Sequence, residues 1–570
     1  MTVRHEHLIS GGRTLRDGVS RRRFLTAAGA GALALSASGI GARPALAASS
    51  GGQAGLPGMD EVWGWQEQLV RYGTRYTGSP GHSAFVDWLA GQFRAVPGFS
   101  LQTDRLTFNR WLARDYSLRV SAPASVGASG PVPLTYYYPY SGQTPPSGVT
   151  AKLVDLGTYA PGVIGTSGTG YTSAFWAPAK GAIAVVRTGP SVFSLDSGQT
   201  ATGGYEPGKT SAQAAADFTS YGAKSANPAW QGIFEPVPLL DARNAGVLGV
   251  ICVWTGLPDD EVVNQYTPFI TPYPAASGVP TPGDPGCPAV WVGDTTGAGL
   301  SRLAASGQAT ATLVLTADVT AGAATETVWG CLKGSGNSGQ NIIINTHTDG
   351  PNATEENGPL GLLALARYLA GLPARNHDMY FALVTGHFQL PQFTRPVPNP
   401  KNAEVGSDAT SVWMADHPEI YQAATLGVTV EHLGATMWDN AGGEYVAAGG
   451  YDWGDTYTMQ HNALNAANAE EDAYLSAVAA VNASGWPNYP VATVRPGALP
   501  LYLGEGAPLY QAGLGTVSLC PLPTYLLQAG DAQNPGLLDL DKLDKKLMYG
   551  QILTFARVLQ ALDATPSAKL

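Results

Sequence analysis

Between residues 341 and 367 the chain reads Asn-Ile-Ile-Ile-Asn-Thr-His-Thr-Asp-Gly-Pro-Asn-Ala-Thr-Glu-Glu-Asn-Gly-Pro-Leu-Gly-Leu-Leu-Ala-Leu-Ala-Arg, so His347, Asp349, Glu355 and Glu356 fall between two apolar runs. Imidazole nitrogens and carboxylate oxygens are ordinary ligands of a hydrolytic zinc ion, which needs three of them and an open position for water. Two other segments carry residues of the same types. Glu431 and His432 follow Val428-Thr429-Val430, and His387 follows Met379 to Val384 by three residues.

The elements that must position these groups follow from hydrophobic pattern. Ile342 to Asn345, Met379 to Val384, Val428 to Val430 and Thr516 to Leu519 read as strands buried on both faces, and 360–370, 464–481 and 540–562 read as helices. Alternation of this kind predicts an α/β fold with a mixed, mostly parallel sheet sandwiched by helices, which binds ligands beyond the strands' carboxyl ends. Residues 59–102 also read as helical, around the turn Gly78-Ser79-Pro80-Gly81. From about Pro131 to Val319 the character shifts to short apolar runs between Gly, Pro, Ser and Thr: 153–157, 181–186, 249–254, 288–293 and 310–315. These predict a mostly β insertion. Residues 388–416, rich in Pro and Asn, read as a long loop.

Ser20-Arg21-Arg22-Arg23-Phe24-Leu25, a short Ala/Gly/Leu stretch and Ala45-Leu46-Ala47 read as a twin-arginine export signal over 1–47, not a permanent membrane anchor. The whole chain of 570 residues has a formal charge of −11, and the signal holds seven Arg and two acids, a net +5, so the remainder carries about −16. That balance argues against nucleic acid as a partner. Charged residues make up only 13% while Gly (71) and Pro (42) are abundant, which fits a secreted globular protein of at least two domains. The cysteines Cys252, Cys287, Cys331 and Cys520 lack zinc-ribbon spacing and read as disulfides or buried thiols, with Cys252–Cys287 a candidate pair. A Gly-x-Ser-x-Gly elbow is absent, which lowers the case for a serine hydrolase.

His347-Thr348-Asp349-Gly350, the carboxylates after it, Arg75-Tyr76-Thr77-Gly78-Ser79, Glu505-Gly506-Ala507-Pro508-Leu509 and 513–519 together resemble the co-catalytic zinc aminopeptidase family, which includes glutamate carboxypeptidases and glutaminyl cyclases. The strands between 153 and 315 resemble its inserted protease-associated domain. The resemblance implies a zinc-peptidase-like body over 58–130 and 326–565, with the insert at 131–325. It makes His347 a ligand and gives Asp349 the task of holding its imidazole. The bridging carboxylate falls on Thr354 in an ungapped reading and on Glu355 after a short slip, with Glu356 close behind. Glu431 takes the place of the later Asp ligand. Two landmarks are missing. Where the family has Glu-Glu, this chain has Thr385-Gly386-His387, and Leu527 stands at the late His position. Both losses strip the second metal of its own ligands, so one divalent metal, zinc in the first instance, is expected on His347, Glu355 and Glu431.

Each residue also has a plainer reading. Glu355 and Glu356 could belong to a solvated loop or cap a helix. His387 could be a general base, a ligand or a buried hydrogen-bonding group. His432 should point away from Glu431 if the strand alternation continues, which suits packing or support of a ligand better than ligation. His417 and His461 read as structural or surface residues, and Tyr136-Tyr137-Tyr138-Pro139-Tyr140 reads as a packing edge rather than a cleft wall. The expected function is an exported metal-dependent hydrolase of a peptide or small amide, with Asp349 orienting His347 and with Glu356 or His387 moving the proton. Two alternatives remain: an inactive relative that binds peptide, glycan or small ligand, and the same fold performing ester cleavage or acyl transfer.

Overall fold

The computed structural model describes residues 55–566 apart from 128, 160–172, 189–198, 223–236, 258, 265–285, 337–338, 391, 397–407, 442–443, 449–458, 461–468, 497–501 and 530–539. The export-signal segment 1–47 and His461 lie outside the described residues. Among the described residues no helix is long and apolar enough to cross a membrane.

The centre of the fold is a sheet whose strands β1 (Phe99–Ser121), β2 (Thr310–Leu332), β3 (Asn341–His347), β4 (Asp378–Val384), β5 (Ala424–Val430) and β6 (Gly515–Leu519) lie in the order β1–β2–β4–β3–β5–β6. Strands β4, β3, β5 and β6 run parallel, and β2 joins β4 antiparallel. Side-chain alternation explains why β3 is apolar throughout. Ile342 and Ile344 enter the core on one face with α1 (Met59–Val70), α2 (Pro80–Arg94), α3 (Gly358–Ala370) and α4 (Lys545–Asp563). Ile343 enters a second core on the other face with Val412, Trp413 and Ile420. Burial on both faces leaves the carboxyl ends of the strands as the place for polar side chains.

Local sequence sets the helix starts. The Ser79 hydroxyl accepts the His82 N–H, and Pro80 begins α2 with its missing donor at no loss. In α1, Val62, Trp65, Gln66 and Leu69 are buried at helical spacing.

A second set of parallel strands, Val149–Tyr159, Ile183–Thr188, Gly249–Trp254 and Ala289–Gly293, has its own apolar clusters and stands where strands are expected. Helices Ser211–Gly222 and Asp294–Ala305 accompany it. The two sets are tied by the β1–β2 ribbon, 23 residues in each strand, which pairs with Val149–Lys152 at one end and with β4 at the other. A further tie comes from Gln199–Tyr205, which pairs with Val491–Pro496 at the far edge of the sheet.

Three expectations need correcting. The helical reading of 59–102 stops short, because β1 begins at Phe99 to pair with Leu332. The loop expected over 388–416 ends in a helix, Thr410–Asp416, whose first amides are held by the buried Glu505 carboxylate. Cys252 and Cys287 are not bridged. All four cysteines are buried free thiols, and Cys287 donates to the Val247 carbonyl at 3.4 Å, with burial pushing its thiol up to about 12.

The carboxyl end of α4 is fastened by Asp563, whose carboxylate accepts the backbone N–H groups of Asn376 and His377 and lies 3.1 Å from His377 Nδ1. Burial works against this carboxylate's ionisation, but those donors outweigh it and hold its pKa below the usual range. A depressed folded pKa stabilises the fold above the unfolded value, and that contribution is lost as pH falls through the folded one. Asp563→Ala should therefore lower unfolding free energy at neutral pH by about 1–3 kcal/mol, with a smaller deficit at acid pH, measured by urea unfolding across pH.

Candidate metal centre

His347 ends β3 and is fully buried. Its Nδ1–H donates to the backbone carbonyl of Asp349 at 2.8 Å, which directs Nε2 away from its own loop. The Asp349 carboxylate, expected to hold this imidazole, lies 3.7 Å from Nδ1 and is bound elsewhere. It accepts the Thr77 hydroxyl at 2.5 Å and the Phe388 and His387 amides at 3.0 and 3.3 Å; burial works against its ionisation, but His347, His82 and the Thr77 hydroxyl outweigh that and hold its pKa low. Asp349 thus fixes the turn after β4, while its main-chain carbonyl takes the His347 Nδ1 proton and its carboxylate stays within 3.7 Å of that ring nitrogen.

Glu355 and Glu356 are 2% and 0% exposed, so neither belongs to a solvated loop. Buried Arg75 donates through one terminal nitrogen to the carbonyls of Asn352 and Glu355, at 2.8 and 3.0 Å, and that nitrogen lies 3.4 Å from the Glu356 carbonyl. Burial lowers its pKa to about 10 against the pull of the nearby carboxylates, so it stays charged. The Asn352 carbonyl oxygen of the side chain accepts the Thr354 and Glu355 amides, both at 2.9 Å. Glu356 does in part what a helix cap does, since its Oε1 accepts the Gly358 N–H at the start of α3. Its Oε2 turns inward.

The fourth member is His432. Strand β5 ends at Val430, and His432 adopts φ 54°, so the alternation that would have aimed it away no longer applies. Its Nδ1–H donates to the Pro521 carbonyl at 2.5 Å and its Nε2 lies 2.6 Å from Glu355 Oε2 and 3.2 Å from Glu356 Oε2. His347 Nε2 lies 3.2 Å from Glu355 Oε1 and 3.7 Å from Glu356 Oε2. The ligand-type atoms of these four residues all lie within 4.8 Å of one another. Glu431 is not among these four but forms a second buried grouping of ligand-type atoms with His432 and Cys520. Its Oε1 accepts the Glu505 N–H at 2.8 Å and its Oε2 the Cys520 thiol at 3.1 Å. Gly504 (φ 69°) permits that approach, because a Cβ there would collide with the Glu431 carboxylate.

Burial and mutual charge polarise the group. Burial pushes Glu356 up to about 8, with Glu355 and Glu431 adding to it against the two imidazoles. Burial opposes Glu355's ionisation too, but His432 and His347 keep it well below the carboxylate range. Burial would lower His432, yet Glu355 and Glu356 raise it to about 10, and His347 is raised by neighbouring acids in the same way. Neutral His82 lies behind this layer, its pKa lowered to about 4 by burial. Its Nδ1 accepts the Gly78 N–H, and its Nε2–H donates to Thr348.

The residues fit a cation on an observation of their own. His347 Nε2, His432 Nε2 and Glu355 Oε2 are buried and make no hydrogen bond of good geometry, lying instead within ion-pair distance of one another's residues, an arrangement that a cation would relieve. Ligand atoms on a tetrahedral zinc, with bonds of about 2.0–2.1 Å, stand roughly 3.3 Å apart, close to the separations here. A third grouping, His387, Asp408 and Glu505, behaves differently. His387 Nδ1 lies 2.6 Å from Glu505 Oε1, and the remaining Glu505 acceptors take the Ala409 and Thr410 amides. The His387 ring stacks on His347 at 4.0 Å, and its hydrogen bond and nearby acids raise its pKa against burial and the His347 charge. This grouping satisfies itself. Leu527, at the late His position, is packed with Tyr76, Trp111, Tyr136, Tyr137 and Phe388, so the tyrosine run is core. His417 pairs with Asp104 at 2.7 Å, away from the centre.

The sequence reads His432 as a packing or supporting residue, offers Glu505 only within the family-like segment 505–509, and does not mark Asn352. The Gly434 two positions after His432 was the available sign that the strand ends in a turn there. No family model and no curated protein matches the chain. Solved structures do. The aminopeptidase from Aneurinibacillus sp. strain AM-1 is 15% identical with a TM-score of 0.50, covering 89% of this chain and 94% of its own. BSAP, a zinc aminopeptidase from Bacillus subtilis, is 14% identical with a TM-score of 0.51, covering 90% and 97%. A peptidase M28 precursor from Shewanella amazonensis SB2B is 13% identical with a TM-score of 0.53, covering 89% and 98%. The chain therefore has the metallopeptidase-like α/β fold, a large, mainly parallel sheet flanked by helices.

Arg75 holds the carboxylate loop by main-chain contacts alone, so removing it should cost more than one hydrogen bond. Arg75→Met should reduce unfolding free energy by about 3 kcal/mol or more in urea titrations, and an unchanged midpoint would contradict the role given to it.

Proposed function

We propose that the chain is an exported, metal-dependent hydrolase that cleaves peptide or amide bonds with one divalent cation, zinc by preference, held by His347, Glu355 and His432. The observation that carries this reading is the buried convergence of ligand-type nitrogen and oxygen atoms that these three residues turn toward one another. The likeness to zinc aminopeptidases supports it at the level of fold. The sequence at 20–25 and 45–47 supports export. An apolar cluster lying wholly within 131–325, from Tyr138 to Trp291, supports a protease-associated-type insert there and a body over 58–130 and 326–565, the two sharing further clusters across the boundary.

A cation bound there polarises a carbonyl and makes water acidic enough to attack it. The protein supplies the rest. Backbone carbonyls of Asp349 and Pro521 hold the two imidazoles with Nε2 facing inward. Glu355 offers one oxygen to each imidazole. Glu356, anchored through Oε1 at the start of α3, keeps Oε2 at the same point; burial favours its protonated form, and a cation beside it would favour the carboxylate, which can then take a proton from water and return it to the leaving amine. His387 stands behind His347 with Nδ1 committed to Glu505, which suits it to support that imidazole. One cation, not two, is favoured because the His387–Asp408–Glu505 group pairs internally. Leu527 favours the competing reading, an inactive ligand-binding relative, and turnover lost with His347→Ala in a folded protein would exclude it.

Elemental analysis of purified protein should find about one equivalent of metal per chain. His347→Ala and His432→Ala should each lose it together with hydrolysis of aminoacyl or acyl-amide substrates, while Glu431→Gln should keep it. Glu356→Gln should retain metal and lower kcat by about 10²–10⁴-fold. Absence of both metal and turnover across amide and ester panels would end this reading.

A further inference from the structure

Asn357 follows the carboxylate pair and stands at the N-cap of α3, where an Asn side chain ordinarily accepts an amide of its own helix. It makes no such bond. Glu356 Oε1 accepts the Gly358 N–H instead, and the Asn357 carboxamide is spent elsewhere. Its Oδ1 accepts the Leu433 N–H at 2.7 Å, and its Nδ2 donates to the Leu433 carbonyl at 2.8 Å. Both bonds fall on the residue next to His432.

The other Nδ2 proton goes to Gln66 Oε1 at 3.1 Å, and Gln66 Nε2 donates to the Ala353 carbonyl at 2.7 Å. An N–H at 433 and a C=O at 353 fix which way each carboxamide points. Both side chains are 0% exposed. A buried chain of hydrogen bonds thus runs from α1 through the carboxylate loop to the turn after β5, and it joins the two segments that carry Glu355, Glu356 and His432. His432 needs such a hold. Its φ of 54° is a conformation that a non-glycine residue keeps only where its surroundings enforce it, and β5 has already ended at Val430.

We propose that Asn357 is a positioning residue for the metal centre: by gripping Leu433 at two points it sets how far His432 Nε2 stands from Glu355 and Glu356, 2.6 and 3.2 Å in the structure. Metal–ligand bonds keep their lengths to within about 0.2 Å, so a small shift of one imidazole costs affinity even where the packing around it tolerates the change. This rests on the metal-dependent reading and adds to it a residue that contacts neither substrate nor cation.

The test uses Asn357→Ser, which keeps a residue suited to a helix start, and Asn357→Ala, which does not; both delete the two-point grip. Zinc affinity is measured by chelator competition, alongside the visible absorption of cobalt(II)-loaded protein and the thermal midpoints of metal-free and zinc-loaded protein. Each variant should bind zinc about 10–100-fold more weakly, shift the cobalt bands and gain less in midpoint from zinc than wild type does. A side chain that only fastens the fold would lower the metal-free and zinc-loaded midpoints equally and leave zinc affinity and the cobalt spectrum unchanged, and that result in Asn357→Ser would overturn the proposal. Wild-type protein that binds no zinc would remove the metal-dependent reading and this one with it. Zinc bound by wild type, lost in the His347 and His432 variants and held as tightly in both Asn357 variants, would remove this inference alone.

Discussion

Two imidazoles face one pair of carboxylates because each gives its Nδ1 proton to a backbone carbonyl, His347 to Asp349 and His432 to Pro521. Once those tautomers are fixed, both Nε2 atoms face the buried interior, with Glu355 and Glu356 within reach. Like charges and unpaired polar atoms crowded in this way are costly in a buried site, and a bound cation relieves both at once. Most of what surrounds the group serves to keep it in this arrangement.

The scaffold does so from three directions. Parallel strands β3 and β5 deliver the histidines at their carboxyl ends, and β6 delivers Cys520 and Pro521 beside them. Arg75 and Asn352 hold the carboxylate loop by main-chain contacts, so the carboxylates stay available. Asn345 and Glu505 tie β3 to the Thr410–Asp416 helix and, through the Glu505 amide, to Glu431. The acid at 431 is thus a strut between loops, and the histidine beside it faces the centre.

Much of the fold was legible in the sequence because burial on both faces makes central strands continuously apolar, as in Ile342 to Ile344 and Met379 to Val384. The β1–β2 ribbon was not, since its exposed middle alternates Thr, Ala and charged residues with few apolar marks. At the site, residue types and spacing singled out His347 and the Glu355–Glu356 pair, which the structure brings together. His432 escaped because strand periodicity predicts direction only while the strand lasts, and φ 54° ends it. The part played by the Asp349 carbonyl was invisible for a related reason, since a main-chain acceptor leaves no signature in residue identity.

The account turns on where a cation sits. Crystals of the purified protein, measured at the zinc absorption edge, would give an anomalous difference map that places the ion directly. The account predicts one peak bonded to His347 Nε2, His432 Nε2 and a Glu355 oxygen, at about 2.0–2.2 Å from each. A peak among His387, Asp408 and Glu505, or one bonded to Glu431 and not to His432, would contradict it.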